Sequence, residues 1–332
     1  MKPVNKIIPF LFFIFLFTSC EPLKSLQIET LTPSQVNLPR DFNKILFVNL
    51  DNDINNDNEK DTMLYGVITE EMNYGFLEII NSTSFIDSLD YLYIQKGFPS
   101  GERLYQQDTI SWDYLGKLAK NTQADIFVVL DSLSIDVNTE SFADLESDPV
   151  VYFKYRELNV AIHWSMFSLK TRKRLDSYLY SDNFYWESSA YSKEKAGNQL
   201  PSLEKSVREI SFFAAFDYGK RIFPNWQKET RFYFVTGNKD FTQAAKLITD
   251  NEDWKQASVL WKKHINHIDR EISSRACFNL ALANEMQGNF AKALDWAMKS
   301  DKIKSKTKTR LYISILKQRN INTRKLKQQL QY

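Results

Sequence analysis

Glycine and cysteine are scarce in this sequence, which contains 9 glycines and 2 cysteines among 332 residues. The few glycines form no G-x-x-x-x-G-K-[ST], G-x-G-x-x-G or G-x-S-x-G motif. Such motifs cradle phosphates or present an exposed nucleophile, so their absence argues against nucleotide-binding enzymes and α/β-hydrolases. The two cysteines are Cys20 and Cys277, and modification of Cys20 would leave no partner for a disulfide within the chain.

Histidine is equally rare, and its three copies predict no zinc site. His264 and His267 are close on a predicted helix, but no H-E-x-x-H sequence and no neighbouring cysteine completes a ligand set. The segment 51–59 is dense in Asp and Asn, yet Asn56 and Thr62 stand where an EF-hand needs Gly and Glu. We therefore expect no metal ion and no cofactor, with an irregular calcium loop left open as the alternative.

One apolar run dominates the N-terminus, and no later segment approaches the roughly 18 apolar residues of a membrane helix. Lys2 and Lys6 precede the run at 7–17, and two small residues then lead to Cys20, which is the layout of a secretory signal. The sequence Phe-Thr-Ser-Cys at this point resembles the lipobox of bacterial lipoproteins, in which the cysteine is acylated with fatty acids such as palmitate. The resemblance implies a signal peptide at 1–19 and a membrane anchor on Cys20. We expect an outer-membrane location that faces the periplasm, with surface exposure as the alternative, because only a single acid follows Cys20 in Glu-Pro-Leu-Lys.

Charge is balanced overall but unevenly distributed. After removal of residues 1–19, 41 basic and 41 acidic residues remain. Residues 301–332 carry ten Lys or Arg against one Asp, so their net charge is +9 and that of residues 20–300 is −9. The basic end suits an anionic partner or is simply a solvated helix face, and we do not expect an exported protein to bind nucleic acid.

The chain length and an apolar content of 43% predict two domains. A polar stretch punctuated by prolines at 20–42 is expected to be a tether, and an α/β domain is expected at 43–236. The elements predicted within it are strands at 45–48 and 124–130, helices at 66–80 and 111–123, a β-hairpin at 159–185 with a polar turn at 170–173, and a helix that opens at Pro201. That last helix is expected to bury a stripe formed by Val207, Ile210, Phe213, Ala214 and Tyr218.

The order of these elements resembles small α/β lipoprotein domains related to the curli secretion lipoprotein and to the lipoprotein activators of penicillin-binding proteins. The resemblance rests on an opening strand, on the helices, on the strand that ends at Leu130 and on a hairpin with a short basic turn, and it covers roughly residues 43–225. It implies a mixed-sheet fold and an envelope location. No diagnostic motif supports it, so it implies no activity.

Residues 237–332 predict an all-α tail similar to tetratricopeptide repeats. The pattern is an aromatic residue followed by two further packing residues. It occurs first as Trp254, Ala257 and Trp261 and again as Phe290, Ala293 and Ala297. The two sets are offset by 290 minus 254, or 36 residues, near the usual ~34. A last helix near 309–319 would cap the stack. A plain helical bundle is the alternative.

The anchor, the repeats and the missing catalytic motifs together favour a non-enzymatic accessory or scaffolding lipoprotein of the cell envelope. We expect its tail to bind a partner protein, with four aromatic residues as contact or packing groups: Trp254, Trp261, Phe290 and Trp296. An envelope glycan hydrolase that uses carboxylates of the α/β domain is the alternative function, because the separation of two carboxylates cannot be read from a sequence.

Taken whole, the chain resembles an uncharacterised lipoprotein family of the Bacteroidetes. The shared features are the lipobox, the α/β body, a Pro-Asn-Trp segment that leads to Arg-Phe-Tyr at 231–233, and a short repeat tail. The resemblance implies the domain layout given above and brings no known activity with it.

Overall fold

The computed structural model describes residues 23–39, 42, 44–49, 59–82, 90–94, 105–106 and 109–330. The predicted signal peptide, Cys20 and most of the Asp/Asn-rich loop lie outside these residues. The chain divides into two compact units. The sheet unit contains residues 29–228 and 321–330, and the helical unit contains residues 23–28 and 229–320. The predicted fold class is confirmed, since a mixed-sheet α/β region precedes an all-helical region.

The elements in chain order are β1 (Leu23–Thr32), β2 (Lys44–Asn49), α1 (Glu59–Ser82), β3 (Asp90–Ile94), β4 (Tyr105–Gln106), β5 (Thr109–Ile110), α2 (Trp112–Thr122), β6 (Ile126–Asp144), β7 (Val151–Ser168), β8 (Lys173–Ala190), α3 (Lys193–Gln199), α4 (Leu203–Ile222), β9 (Asn225–Phe234), α5 (Lys239–Asn251), α6 (Trp254–Lys262), α7 (Arg270–Met286), α8 (Phe290–Ile303) and α9 (Thr307–Gln329). β1 pairs with β9, and β4 pairs with β5. Within the described ranges, no helix has both the length and the apolar character needed to cross a membrane.

Five strands form the central sheet of the sheet unit in the order β3-β2-β6-β7-β8. β2 pairs in parallel with β3 and with the first residues of β6, whereas β6, β7 and β8 form an antiparallel meander. Parallel strands are usually buried on both faces, which explains the continuous apolar runs at 45–48 and 126–130. The predicted strands in these runs are present, and so are the two predicted helices, as α1 and α2.

Helices pack on both faces of this sheet. α1 and α4 pack on one face, where Trp164 stacks on Tyr218 with ring centroids 5.0 Å apart. α2 packs on the opposite face against Phe127 and Phe167. Burial of these large rings fixes which face of each strand points to which layer of helices.

Two predictions for this region need correction. Residues 23–32 form strand β1 instead of part of a tether, and Ile28 and Thr30 on one side of it are buried. The hairpin is also much longer than 159–185, because β7 and β8 span 151–168 and 173–190. Both faces of the added stretch at 151–158 mix apolar and charged residues, so no alternation of hydrophobic and polar residues reveals it.

The apolar stripe of α4 is also corrected at one position. Val207, Ile210, Ala214 and Tyr218 are buried as predicted, but Phe213 is 43% exposed. Each residue turns a helix by about 100°, so Phe213 lies well off the line through Ala214 and Tyr218.

The helical unit is built from helices that pack in sequence order, α5 on α6, α6 on α7 and α7 on α8. The side chains of Asn238, Asp253 and Asp269 accept hydrogen bonds from backbone N–H groups and so cap the first three helices. The small residues of the repeat pattern are fully buried, namely Ala257, Ala293 and Ala297. The predicted closing helix is present and longer than expected, as α9.

Candidate functional site on the uncovered sheet face

β6, β7 and β8 continue beyond the buried part of the sheet as a three-stranded extension. Residues directly opposite one another in neighbouring strands point to the same face. Phe142 is 52% exposed and Tyr185 is 54% exposed, so no element among the described residues covers the face that carries them, which we call the open face. Two cross-strand sets define this face: Asn138, Glu157 and Tyr185, and Glu140, Tyr155 and Glu187.

Four aromatic rings stack across the three strands, and we call them the aromatic column. The ring centroids are 5.0 Å apart for Phe142 and Phe153, and 5.1 Å apart for Phe142 and Tyr155. Tyr185 stacks on Tyr155 at 5.5 Å. Tyr185 ends the column and is the most exposed of its rings, so its outer face can stack on a further planar or cationic group.

The open face is acidic around the aromatic column. Four acidic residues share it: Asp136, Glu140, Glu157 and Glu187. The basic residues of the same stretch, Lys154 and Arg156, point to the opposite face, where Arg156 donates a hydrogen bond to the carbonyl of Pro201. An open cavity of about 320 Å³ on the acidic side is lined by three rings of the column and by three polar residues: Phe142, Tyr155, Tyr185, Asn138, Glu140 and Glu157.

Amide side chains hold two of these carboxylates in place. Asn138 donates a hydrogen bond of 3.1 Å to Glu140, and Asn183 donates one of 2.5 Å to Glu157. Desolvation and then the charge of Glu187 raise the pKa of both Tyr155 and Tyr185. The carboxylates therefore make this surface electronegative, and its chemistry suits a cation.

A second polar group of residues lies on the open face where the parallel strands end. The register of β6 shifts between Leu130 and Ser132, and that of β7 with β8 shifts at Met166. Such bulges add a residue to one strand and redirect side chains. They bring Asp131 and Arg174 into contact with the same residue of β7, Ser165. The carboxyl ends of parallel strands are where ligands usually bind in open α/β sheets.

His163 is the centre of this group. Its Nδ1 lies 3.0 Å from the carboxylate of Asp131, and its Nε2 lies 3.1 Å from the hydroxyl of Ser177. Ser165 donates to the same Asp131 oxygen at 2.5 Å, and Arg174 donates to Ser165 at 3.1 Å and also to Ser177. We call these five residues the polar relay. The Asp131 side chain is largely buried, whereas Ser177 is exposed.

The four aromatic residues predicted as tail contacts fall into two pairs. Trp254 and Trp261 are buried in the core of the helical unit, so they serve packing and cannot contact a partner in the folded chain. Phe290 and Trp296 are half-buried. Arg319 lies 4.8 Å above the Phe290 ring and Lys299 lies 5.2 Å from the centroid of the Trp296 ring, so a cation of the chain itself lies over one face of each ring.

A buried polar cluster in the helical unit joins β9 to α7 and α9. The guanidinium of Arg231 donates from Nε and Nη2 to the carboxylate of Glu285 at 3.0 to 3.1 Å. Tyr312 donates to the same carboxylate at 2.6 Å, and burial followed by the charge of Glu285 raises the pKa of Tyr312 well above its ordinary value. These side chains satisfy one another's hydrogen bonds in the core, which indicates a structural role.

The helical unit has a basic surface in the region of α7 and α9. Glu271 pairs with Lys304 and Arg275 at 2.8 Å and also with Lys306. Burial alone would raise the pKa of Glu271, but the hydrogen bonds from Lys304 and Lys306 and the charges of Lys306 and Arg275 lower it to about 2. One carboxylate therefore faces three cations. A separate open cavity of about 590 Å³ at the start of α5 is lined in part by Lys239.

Cys277 is buried, and burial raises the pKa of its thiol to about 11, as expected for a cysteine that serves packing. Among the described residues, no group of three or more His, Cys, Asp or Glu side chains is placed to bind a metal ion. His264 instead contacts the carboxylate of Asp240 at 2.8 Å. The candidate calcium loop lies outside the described residues.

Sequence reasoning missed both the aromatic column and the polar relay. The sequence does contain a signal for the aromatic column. Asn138, Glu140 and Phe142 are two residues apart from one another, so in a strand their side chains lie on the same face. His163 lies on a sheet face. Its partners Asp131 and Ser177 are 32 and 14 residues away and meet it only through strand pairing and a bulge, which no local pattern reveals.

Two parts of the chain match known domain families. Residues 87–234 match a family described as "Domain of unknown function (DUF8603)", and this range contains the aromatic column and the polar relay. Residues 242–318 match a second family, described as "Domain of unknown function (DUF6340)". This second range contains Phe290 and Trp296. A comparison with curated proteins gave no match. These descriptions give the two ranges and leave the chemistry of the sites to be argued from the structure.

Proposed function

We propose that this chain is a lipid-anchored protein of the bacterial cell envelope that binds a basic segment of a partner protein on its open face. The observation that carries the proposal is the separation of charge in the three-stranded extension. Four carboxylates share the open face, and the basic residues of the same stretch point to the other face. Such a surface attracts a cationic partner and repels an anionic one, and this selects the partner more than it tightens binding.

The aromatic column adds specificity for arginine in such a segment. A guanidinium group is planar and stacks on aromatic rings, and it also pairs with carboxylates through two parallel hydrogen bonds. Tyr185 offers a ring face, and Glu157 lies directly opposite it on the neighbouring strand. An arginine on Tyr185 would therefore meet both groups that its side chain recognises.

This proposal moves the partner site away from the helical tail, where sequence reasoning placed it. Two of the four tail aromatics are buried, and cations of the chain cover the other two. The tail remains an element of the proposal as the second unit of the chain. The carboxylates of the open face act here as anions that pair with the ligand, and not as the acid and base that the alternative glycan hydrolase would use.

The envelope location in this proposal rests on the expected acylation of Cys20. In cells grown with labelled palmitate, the proposal expects label on the wild-type chain and none on a Cys20→Ser variant. Equal labelling of the two chains, or label on neither, would remove the anchor from the proposal while leaving the open face to be tested separately.

The binding part is tested with a fluorescent decaarginine peptide and the purified full-length lipoprotein in a non-ionic detergent. The triple variant Glu140→Gln, Glu157→Gln, Glu187→Gln is expected to bind the peptide about tenfold or more weakly in fluorescence anisotropy, because three ion pairs are lost. Added salt should weaken wild-type binding, because it screens charges beyond about 8–10 Å.

A matched control removes three exposed acids elsewhere, through Glu194→Gln, Glu209→Gln and Glu252→Gln. This variant has the same net charge as the triple variant of the open face, so it should bind with less than about a twofold change. If both variants lose affinity equally, the peptide responds to net charge alone and the proposed site is wrong.

A further inference from the structure

We infer that the polar relay is a serine acyl-transfer site that hydrolyses carboxylic esters carrying a small acyl group. The inference does not rest on the proposed binding function, because the polar relay and the aromatic column are separate. Tyr155 and His163 are eight residues apart on β7, which places them about 27 Å apart.

The geometry contains the three parts that activate a serine. The hydroxyl of Ser177 lies 3.1 Å from Nε2 of His163, close enough to pass its proton to the imidazole. The carboxylate of Asp131 lies 3.0 Å from Nδ1 of the same ring, where it fixes the tautomer and stabilises the imidazolium. Catalytic triads are recognised by this geometry and these roles, and they occur on unrelated folds with different orders along the chain.

The carboxylate, the imidazole and the serine hydroxyl are buried to different depths. The Asp131 side chain is 9% exposed and the His163 side chain is 36% exposed, so the carboxylate lies deeper than the imidazole. Ser165 is buried and donates its hydroxyl to the same carboxylate, which leaves that oxygen well held. Ser177 is exposed on the open face, where a substrate can reach it.

Arg174 supplies the positive charge that the transition state needs. The backbone of Ser177 is opposite Ser165 in a continuous strand ladder, so a strand-to-helix turn with free N–H groups is absent at this residue. The guanidinium of Arg174 donates to Ser177 itself and to Ser165. Its remaining N–H groups are therefore next to the position where an oxyanion would form on a carbonyl attacked by Ser177.

The reaction proceeds in two balanced steps. The Ser177 oxygen bonds to the ester carbonyl carbon while His163 takes the hydroxyl proton, and the alcohol leaves with that proton as the ester C–O bond breaks. Water then gives a proton to His163 and attacks the acyl-enzyme, which releases the carboxylic acid and restores the serine hydroxyl. The acyl group is small, because Leu179, which is directly opposite His163 and next to Ser177 on the same face, takes up the space beside the nucleophile.

The test uses a biotinylated fluorophosphonate, which labels activated serines, with the full-length lipoprotein at neutral pH. The expected result is one labelled peptide that contains Ser177 in the wild type and no label in the Ser177→Ala variant. Ser181→Ala is the matched control, since Ser181 shares the strand and the face but forms no hydrogen bond with His163, whose ring contacts Ser177 and Asp131. This control variant should label as the wild type does.

The rate of labelling separates a catalytic role from a structural one. His163→Gln should lower the labelling rate and the hydrolysis of p-nitrophenyl acetate by about a hundredfold or more. Asp131 acts through His163 and is a positioning residue. Asp131→Asn should therefore lower kcat for p-nitrophenyl acetate with little change in KM, because the imidazole is less well oriented for proton transfer, and Asp131→Glu should restore part of the rate. A carboxylate with a purely structural role would change the amount of folded protein and leave kcat of the folded fraction unchanged.

Three outcomes would overturn the inference. The first is the absence of label on Ser177 in folded wild-type protein, and the second is labelling of His163→Gln at the wild-type rate. The third is equal labelling of Ser177 and Ser181. Peptide binding to the aromatic column is measured independently, so failure of the acyl-transfer site and failure of the proposed binding function can be told apart.

Discussion

Glu285→Ala is expected to lower the free energy of unfolding of the helical unit by about 3–5 kcal/mol, the largest effect of any substitution considered. The Glu285 side chain is 1% exposed, and Arg231, which pairs with it, is 4% exposed. Removal of the carboxylate would leave the buried guanidinium of Arg231 with Glu229 alone, a partly exposed acid 2.6 Å from its Nη2, and Tyr312 would lose its acceptor. Both losses leave buried polar groups less well compensated in the core.

Urea titration followed by circular dichroism measures this change against the wild type. Glu252→Ala is the control, because Glu252 is an exposed acid of the same unit and should change the free energy by about 0.5 kcal/mol or less. A loss of less than about 1 kcal/mol for Glu285→Ala would show that the cluster contributes little to the fold.

Gly75→Ala is expected to destabilise the sheet unit by about 2–3 kcal/mol. A Cβ at this position would lie 2.3 Å from the carbonyl oxygen of Phe212 and 3.0 Å from the backbone nitrogen of Phe216. Both contacts are with backbone atoms of α4, which cannot move aside as a flexible side chain does. α1 and α4 would have to separate, and the rings packed between them and the sheet would lose contacts.

Gly66→Ala on the same helix is the matched control for this experiment. A Cβ at Gly66 meets nothing within 4 Å, so alanine should stabilise the helix by about 0.5–1 kcal/mol. The two substitutions make the same chemical change with opposite expected signs. Thermal unfolding of the two variants decides the point, and a stabilised Gly75→Ala protein would contradict the described packing of α1 on α4.

The buried half of the fold could be predicted from the sequence because its signals are local. The runs at 45–48 and 126–130 are apolar on both faces, as parallel strands buried between helices require. α2 begins at a serine whose side chain accepts a hydrogen bond from the backbone of Tyr114, so the start of the helix was also visible. These features depend on neighbours within a few residues.

The ends of the long strands could not be predicted for a physical reason. In residues 132–144 both faces of β6 are largely exposed, so burial imposes no strong hydrophobic pattern. Strand β1 was missed because its partner β9 lies about 200 residues away in sequence. Such segments form strands because they pair with segments far away in sequence. A pattern of neighbouring residues in one sequence does not predict that pairing.

The candidate site depends on three-dimensional facts of the same kind. Alternation at Asn138, Glu140 and Phe142 shows that these side chains share a face, but only the structure shows that the face is uncovered. The four aromatics of the tail, predicted as contact or packing groups, show the same dependence on the structure. Their spacing predicted a repeat, and the same spacing buries Trp254 and Trp261 in its core, away from any partner.

The central claim, that the open face binds a basic segment, is tested most directly by photo-crosslinking. A decaarginine peptide that carries a benzophenone group is irradiated with the full-length lipoprotein, and mass spectrometry then locates the modified residues. If the peptide binds on the open face, we expect crosslinks within residues 138–142, 153–157 and 185–187. These crosslinks should disappear in the triple variant Glu140→Gln, Glu157→Gln, Glu187→Gln. Crosslinks confined to 237–320 would place the partner site on the helical tail and contradict the account.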